Sequence, residues 1–314
     1  MQQKFRFAAA LASLALFVIV VAADAVIGLL PDRKARPPAL AAVAFESIEL
    51  PAADFAPLTL VGAWQLTSTE PRVGGISGLG LEADEVVAIS DAGFVLRFPR
   101  GFRARTEVQV ADLPAGPGSE RFKENRDSEA IFRDPEGRGW WIAFENRDQL
   151  WLFDSAFQRA LRRVAVPAGS LSLNIGIEGL TGSAKGLLAF PESGESVIRW
   201  SGEAWRQARL DGQSPVSDAV QIDDRSIFVI ERSVTRSGFR NVLALVRFEG
   251  ETFRTVWRKR LPVGWRDNVE AIAAEPIAGG DYRLWMMTDD NFHPRLRTVL
   301  LIVEVPAAAL PKPR

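Results

Sequence analysis

Acidic residues recur within a short repeated pattern, and carboxylates on equivalent elements of a fold can bind a cation or take part in catalysis. Glu129 in the stretch DSEAIF is followed by a small and then an aliphatic residue, and the same order surrounds Glu178 and Glu270. In VSDAVQ the acid is Asp218, and in GISGLG a serine, Ser77, stands at the corresponding place. The pattern predicts five equivalent positions.

The spacing of these five positions favours a β-propeller. They lie 52, 49, 40 and 52 residues apart, which is within the range expected of propeller blades. Short alternating runs such as EVVAIS, FVLRF, SVIRW and TVLLIVEV recur between turn residues and indicate strands. No convincing long helix follows the N-terminal segment.

Most repeats divide into four strands, but the last repeat contains only three. The missing outer strand is predicted at 58–66, where it would pair with 298–305 and close the ring without an exposed edge. The sequence therefore predicts an all-β propeller of five blades. Six blades stay open if one repeat is too degenerate to recognise.

Polar residues also end the second strand of each repeat, 13 to 19 residues after the first position. The first strand of a blade lines the central channel, so both sets should form one acidic ring at its mouth. Its members are Asp91, Glu129, Glu145, Glu178, Glu192, Asp218, Glu231, Glu270 and Asp289. So many like charges are costly unless cations, a bound metal or arginines offset them. The alternative is that each acid caps a turn of its own blade.

Side-chain alternation raises a difficulty for this ring. In a regular strand the glutamate and the aliphatic residue two positions later would share a face. We therefore expect the acid to lie at the entry of the strand, where a bulge makes the backbone irregular.

Composition excludes several kinds of site. The chain has no Cys and a single His, which removes disulfides, thiolate chemistry and the usual zinc sites. The net charge of −1 gives no basic field for nucleic acid. Calcium suits the acids better, because carboxylate, amide and carbonyl oxygens are its ligands.

The N-terminal segment predicts export. Lys4 and Arg6 precede an apolar run at 7–30, with Ala23-Asp24-Ala25 as a small-x-small cleavage site. The run is also long enough to span a bilayer. A cleaved signal peptide and an uncleaved anchor both stay open, and both place the remainder in the periplasm or on the periplasmic side of the inner membrane.

The chain thus divides into three parts. Residues 1–30 form the signal peptide or anchor, 31–44 form a Pro-rich linker, and 45–314 form a single propeller domain. We expect the protein to be a monomer. It should contact a membrane only through residues 7–30, if that segment is uncleaved.

Several motifs, in their order along the chain, resemble those of the phytase-like family. They are GGISGLG with VVAISDAG, RDSEAI with WWIAFEN, IEGL, and NVEAIA with WMMTDDNF. The family is labelled "esterase-like activity of phytase" and is common in exported bacterial proteins. The resemblance covers about Gly74 to Val305 and implies a β-propeller outside the cytoplasm that acts on phosphate or carboxylic esters. Asp289-Asp290-Asn291-Phe292 departs from the family pattern by one added acid.

A nucleophilic serine is poorly supported. Ser77 lies in a motif with Leu79 in place of the second glycine, and a strand follows instead of the helix that a nucleophile elbow requires. A set of Ser77, His293 and an acid stays open only because the first and last blades are neighbours. His293 is better explained as a turn residue before Pro294.

We therefore expect a carboxylate-rich site at the channel mouth, with Ca²⁺ as its metal. The catalytic candidates are Glu129, Glu178, Glu270 and Asp289, and the metal candidates are these four together with Asp91. The substrate-binding candidates are Ser77, Arg126, Arg147, Arg232, Asn291 and His293.

Two functions follow from this site. The first is metal-assisted hydrolysis of a small phosphate or carboxylic ester. The alternative is a non-catalytic propeller that binds a ligand or a partner of the cell envelope. A shared ring of acids with arginines favours the hydrolase, whereas acids paired within their own blades favour the binder.

Overall fold

Alternating apolar runs build a structure that is almost entirely β. The computed structural model describes residues 33–167, 176–183, 185–212 and 214–312. The helical segments within these ranges are single 3₁₀ turns at Ala52–Phe55, Lys123–Asn125, Glu145–Arg147, Ala278–Gly280 and Ala307–Ala309. No helix of the described part is long and apolar enough to cross a membrane. The predicted signal peptide or anchor, 1–30, lies outside the described residues.

The strands form successive four-stranded antiparallel units. Unit I is β3 (Ile76–Leu81), β4 (Glu85–Ser90), β5 (Phe94–Pro99) and β6 (Arg105–Asp112). Unit II is β7 (Ser128–Arg133), β8 (Gly139–Phe144), β9 (Gln149–Asp154) and β10 (Ala160–Ala165). Unit III is β11 (Ile177–Ser183), β12 (Gly186–Pro191), β13 (Ser196–Trp200) and β14 (Trp205–Asp211).

The remaining two units complete the chain. Unit IV is β15 (Val216–Gln221), β16 (Ser226–Thr235), β17 (Gly238–Glu249) and β18 (Thr252–Arg260). Unit V is β19 (Asn268–Pro276), β20 (Tyr282–Asp289) and β21 (Thr298–Val305), to which β2 (Thr59–Ser68) adds a fourth strand. A further strand, β1 (Ala39–Ser47), pairs with both β2 and β6.

The units are arranged in a ring. The first strands of neighbouring units contact each other in the order β3, β7, β11, β15, β19 and back to β3. A separate apolar cluster fills each gap between neighbouring units, including the gap between unit V and unit I. Burial of these faces stabilises the ring, and the first strand of every unit lies at its centre. This is the predicted all-β propeller arrangement.

The predicted closure is confirmed. Strand β2 pairs antiparallel with β21, with Trp64 opposite Leu300 and Leu66 opposite Thr298. The N-terminal strand therefore completes the last unit and protects the outer edge of β21.

The structure does not show a linker over the whole of the predicted range, 31–44. Residues 39–44 belong to β1, where Ala41 and Val43 are buried between units V and I. The Arg33 guanidinium also donates to Asp112 Oδ2 at 2.9 Å. Prolines and charges suggested a free linker, but the small-aliphatic alternation of ALAAVAF is a strand pattern.

Closure by β2 predicts a position-dependent effect of charge. Ala63 is 2% exposed and packs between units IV and V, whereas Val61 on the same strand is 47% exposed. Ala63→Asp buries an unpaired carboxylate and should lower the free energy of unfolding by about 3 kcal/mol, while Val61→Asp should change it by less than about 0.5 kcal/mol. Urea denaturation measures both. Equal losses in the two variants would contradict the closure.

Candidate active site and metal centre

A β-bulge at the entry of each first strand positions the candidate acids. The pairing register between first and second strands shifts by one residue in every unit. The residues at the shift are Ser77, Glu129, Glu178, Ser217 and Glu270. Because the bulge adds one residue, the glutamate no longer shares a face with the aliphatic residue that follows it. The aliphatic side chains enter the apolar clusters between units, and the glutamates face the channel.

Asp218 was aligned wrongly with the glutamates. The bulge of unit IV falls at Ser217, so Asp218 takes the place that Ala130 and Ala271 occupy in other units. Its carboxylate accepts hydrogen bonds from the backbone N–H groups of Ile272 and Ala219, each at 2.7 Å. Asp218 is thus fixed between units IV and V instead of contributing to the acidic ring.

The serines at the bulges hold the neighbouring glutamate strands. Ser77 Oγ donates to the carbonyl of Ser128, and Ser217 Oγ donates to the carbonyl of Val269 at 2.9 Å. Each acceptor residue immediately precedes a channel glutamate, Glu129 or Glu270. Ser77 is 1% exposed, and its hydrogen bond to the Ser128 carbonyl gives it a positioning role.

Three carboxylates of unit II form one acidic group. Asp127, Glu129 and Glu145 each offer an oxygen atom, and these oxygens lie within 4.8 Å of one another. Burial, and then the charges of Glu178 and Asp127, raise the pKa of Glu129 well above its usual range. Burial and the neighbouring Asp127 raise the pKa of Glu145 to about 7.

A second acidic group lies on unit V and is paired with Arg232 of unit IV. Burial and the charge of Glu270 raise the pKa of Asp289 to about 9, and the two carboxyl groups share a hydrogen bond. Asn268 Nδ2 donates to Glu270 Oε1 at 2.7 Å, and the Arg232 guanidinium forms an ion pair with the same oxygen. Arg232 also lies 3.4 Å from Glu192.

Glu178 of unit III connects the two groups electrostatically. Burial and then the charge of Glu270 raise its pKa well above the usual range, although Arg232 opposes this change. Glu178 is in turn the largest charge acting on Glu129. Glu270 therefore acts on the ionisation of both Glu178 and Glu129, and Glu178 acts on that of Glu129.

Two further residues at this end of the ring were missed by the sequence reasoning. Lys123 Nζ lies 2.8 Å from Asp91 and 3.9 Å from Asp127, in the loop between units I and II. Burial lowers the Lys123 pKa, but the charges of Asp91, Asp127 and Glu129 outweigh this and raise it. Asp127 was visible in DSEAIF two positions before Glu129, whereas nothing in the repeat marks Lys123.

Two predicted substrate-binding arginines are already held by other groups. Arg126 is 4% exposed, and its guanidinium donates to the carbonyls of Pro117 and Asn125 at 2.9 and 2.8 Å. Arg147 donates to the Asn125 side chain and lies 3.5 Å from Glu124. Of the three predicted arginines, Arg232 is the one paired with channel acids.

The loop after β20 gives His293 and Asn291 structural contacts. His293 is exposed and its Nδ1 accepts the backbone N–H of Arg295, as expected of a turn residue. Asn291 has a φ of 47° and donates its backbone N–H to Asp289 Oδ1 at 2.7 Å. Glu231, expected in the ring, is instead paired with Arg258 through both oxygens.

The family of the chain follows from a comparison with known families. The family model described as "Phytase-like: Esterase-like activity of phytase" matches residues 71–292 of this chain. The chain belongs to the phytase-like family. This match includes Asp127, Glu129, Glu145 and Glu178, and it ends shortly after Asp289.

Solved structures resemble this phytase-like protein in fold. Myxococcus xanthus glutaminyl cyclase is 12% identical, and the match covers 79% of this chain and 97% of that chain with a TM-score of 0.51. The Cps50 (Swd1) β-propeller domain of Myceliophteria thermophila is 8% identical over 74% of this chain and 68% of that chain, with a TM-score of 0.38. Curated proteins give no match. At 12% identity, the glutaminyl cyclase match supports the fold alone.

The raised pKa of Asp289 predicts how stability depends on pH without added cations. The folded state keeps a proton to about pH 9, whereas an Asp in the unfolded chain loses it near 3.8. The free energy of unfolding should therefore fall as the pH rises between these values. Asp289→Asn mimics the protonated carboxyl group, so its stability should decline less between about pH 6 and pH 9.

Thermal unfolding in the presence of a chelator measures this dependence, with Glu195→Gln on an exposed loop as the control. The control should follow the wild type. An unchanged slope in Asp289→Asn would contradict the assignment of a buried, protonated carboxyl group.

Proposed function

We propose that this phytase-like protein is a calcium-assisted hydrolase of phosphate or carboxylic esters, with its site at the acidic channel mouth of a five-bladed propeller. The observation that carries the proposal is the group formed by Asp127, Glu129 and Glu145, whose oxygens lie within 4.8 Å of one another beside the acids of other units. The closed order of four-stranded units supports the count of five blades.

The donor set fits a hard divalent cation. Asp127, Glu129 and Glu145 supply carboxylate oxygens only, which Ca²⁺ prefers, and the described site offers neither a thiolate nor an imidazole. These three residues would hold the ion. A bound Ca²⁺ would offset the negative charge of a phosphate and polarise the ester.

The protein's own groups would bind and orient the ester. Arg232 and Lys123 are the cations paired with channel acids, so a phosphate or carboxylate oxygen could share their N–H donors. Glu178 lies outside the metal triad, and burial raises its pKa well above the usual range, so we assign it the role of donating a proton to the leaving alcohol.

Without a cation the channel is unsuited to an anionic ester. Its carboxylates outnumber Arg232 and Lys123, and their pKa values are raised mainly by burial and by one another. A phosphate would therefore be repelled unless protons or a divalent ion neutralised part of this charge. This argument favours a cation-dependent reaction.

Replacement of Glu129 tests the proposal. Glu129→Gln removes one metal ligand, so Ca²⁺ should raise its melting temperature much less than that of the wild type. Hydrolysis of p-nitrophenyl phosphate and p-nitrophenyl acetate should be Ca²⁺-dependent in the wild type and at least about 100-fold slower in the variant. In a chelator at alkaline pH the variant should be the more stable protein, because the glutamine cannot ionise.

Glu195→Gln is the matched control, since it removes an exposed acid from the same end of the ring. It should hydrolyse both esters as the wild type does. Wild-type hydrolysis that persists in chelator and in Glu129→Gln would overturn the proposed mechanism.

A non-catalytic binding function is the second candidate. Val234, near the end of β16, and Trp265, in the loop after β18, are 75% and 59% exposed at the same end of the ring as the acids, and exposed apolar groups of this size favour a partner. Ca²⁺ binding with no hydrolysis of either ester would favour this candidate, whose partner would belong to the cell envelope.

We also propose where the protein is located and how it assembles. The charged start and the apolar run at 7–30 support export to the periplasm, with either cleavage or retention as an inner-membrane anchor. We propose a monomer, since the ring closes within one chain through β2 and β21.

A further inference from the structure

A crevice opens between units III and IV at the end of the strands opposite the acidic mouth. It has a volume of about 250 Å³. Residues of β11, β12, β15 and β16 border it, and Phe253 of β18, which pairs in parallel with β14, contributes to its lining. The channel acids lie at the other ends of these strands, so the crevice is separate from the proposed hydrolase site.

The base of the crevice is apolar and aromatic. Leu187, Trp200, Ile227 and Phe253 line it and are each at most 6% exposed. The ring of Phe248 adds a wall, over which the Arg199 guanidinium stacks at 4.6 Å. These surfaces would accept a flat hydrocarbon body about the size of two fused rings.

The rim of the crevice is positively charged. Its cations are Lys185, Arg199, Arg206 and Arg225, and the acid among its lining residues is Asp224. Lys185 and Asp224 pair with each other at 2.5 Å, which leaves the three arginines in excess. This end of the ring therefore favours anionic ligands, whereas the acidic channel mouth favours cations.

An unpaired acceptor lies in the same lining. Gln221 donates its side-chain N–H to the carbonyl of Asp223, but its Oε1 is buried without a hydrogen-bond partner among the described residues. A buried acceptor is costly to leave unpaired. A hydroxyl or N–H group on a ligand would satisfy it.

We propose that this crevice is a binding site for an amphiphilic organic anion. The ligand has a flat apolar body, a carboxylate, sulfonate or phosphate group, and a hydroxyl or N–H donor. The body lies against Trp200 and Phe248, the anion contacts Arg199 and Arg225, and the donor reaches Gln221 Oε1.

Calorimetry with 4-hydroxynaphthalene-1-sulfonate tests the site. The probe cannot be hydrolysed as an ester, and the chelator present in the buffer leaves the acidic mouth repulsive to it. The expected dissociation constant is below about 1 mM, and 1-naphthol, which lacks the sulfonate, should bind at least about tenfold more weakly. Equal affinities for the two compounds would overturn the assignment of an anion site.

Two variants locate the binding. Arg199→Gln with Arg225→Gln should weaken sulfonate binding at least about tenfold, whereas Arg105→Gln with Arg159→Gln removes the same charge elsewhere and should leave it unchanged. Ala204 is exposed at the crevice, so Ala204→Trp should block binding without altering the melting temperature. Failure of the wild type to bind the probe, or unchanged binding in both crevice variants, would overturn the proposal.

Discussion

Repulsion between buried carboxylates that face one channel is the constraint on which this structure depends. Glu129, Glu178, Glu270 and Asp289 come from three units of the ring, and burial raises the pKa of each. Neighbouring carboxylates raise the pKa values of Glu129, Glu178 and Asp289 further, since two like charges close together cannot both ionise without cost. In the folded state this negative charge must therefore be offset by protons, by Lys123 and Arg232, or by a bound cation.

The backbone maintains this costly arrangement through repeated local features. A bulge turns each glutamate toward the channel while its aliphatic neighbour packs between units. Ser77 and Ser217 occupy the same position in the remaining units and hold the carbonyls that precede Glu129 and Glu270. The carboxylates are thus placed by β-structure that is stabilised elsewhere, by the apolar clusters between units.

The repeat made the fold and much of the site predictable from the sequence. Strand period and spacing were enough for the propeller arrangement and for the closure by β2, because both depend on patterns that local sequence records. The glutamates at 129, 178 and 270 followed from the same repeat. Asp218 was misplaced by one residue because a bulge shifts register without changing the pattern of residue types.

Other errors came from interactions that no repeat records. Arg126 and Arg147 looked like free cations, but their partners are carbonyls and side chains of an irregular loop. Lys123 lies in that loop and approaches Asp91 only in the folded ring. The segment of β1 was assigned to the linker because prolines and charged residues precede it. The strand itself consists mostly of small residues, which are a weak signal for a strand.

The number of protons released on calcium binding tests the central claim most directly. Calorimetric titration of the protein at about pH 7.5, in buffers of different ionisation enthalpy, gives this number. If the channel carboxyl groups are protonated because they crowd one another, Ca²⁺ should displace at least about one proton per ion bound. Calcium binding with no proton release, or no calcium binding at all, would contradict the account.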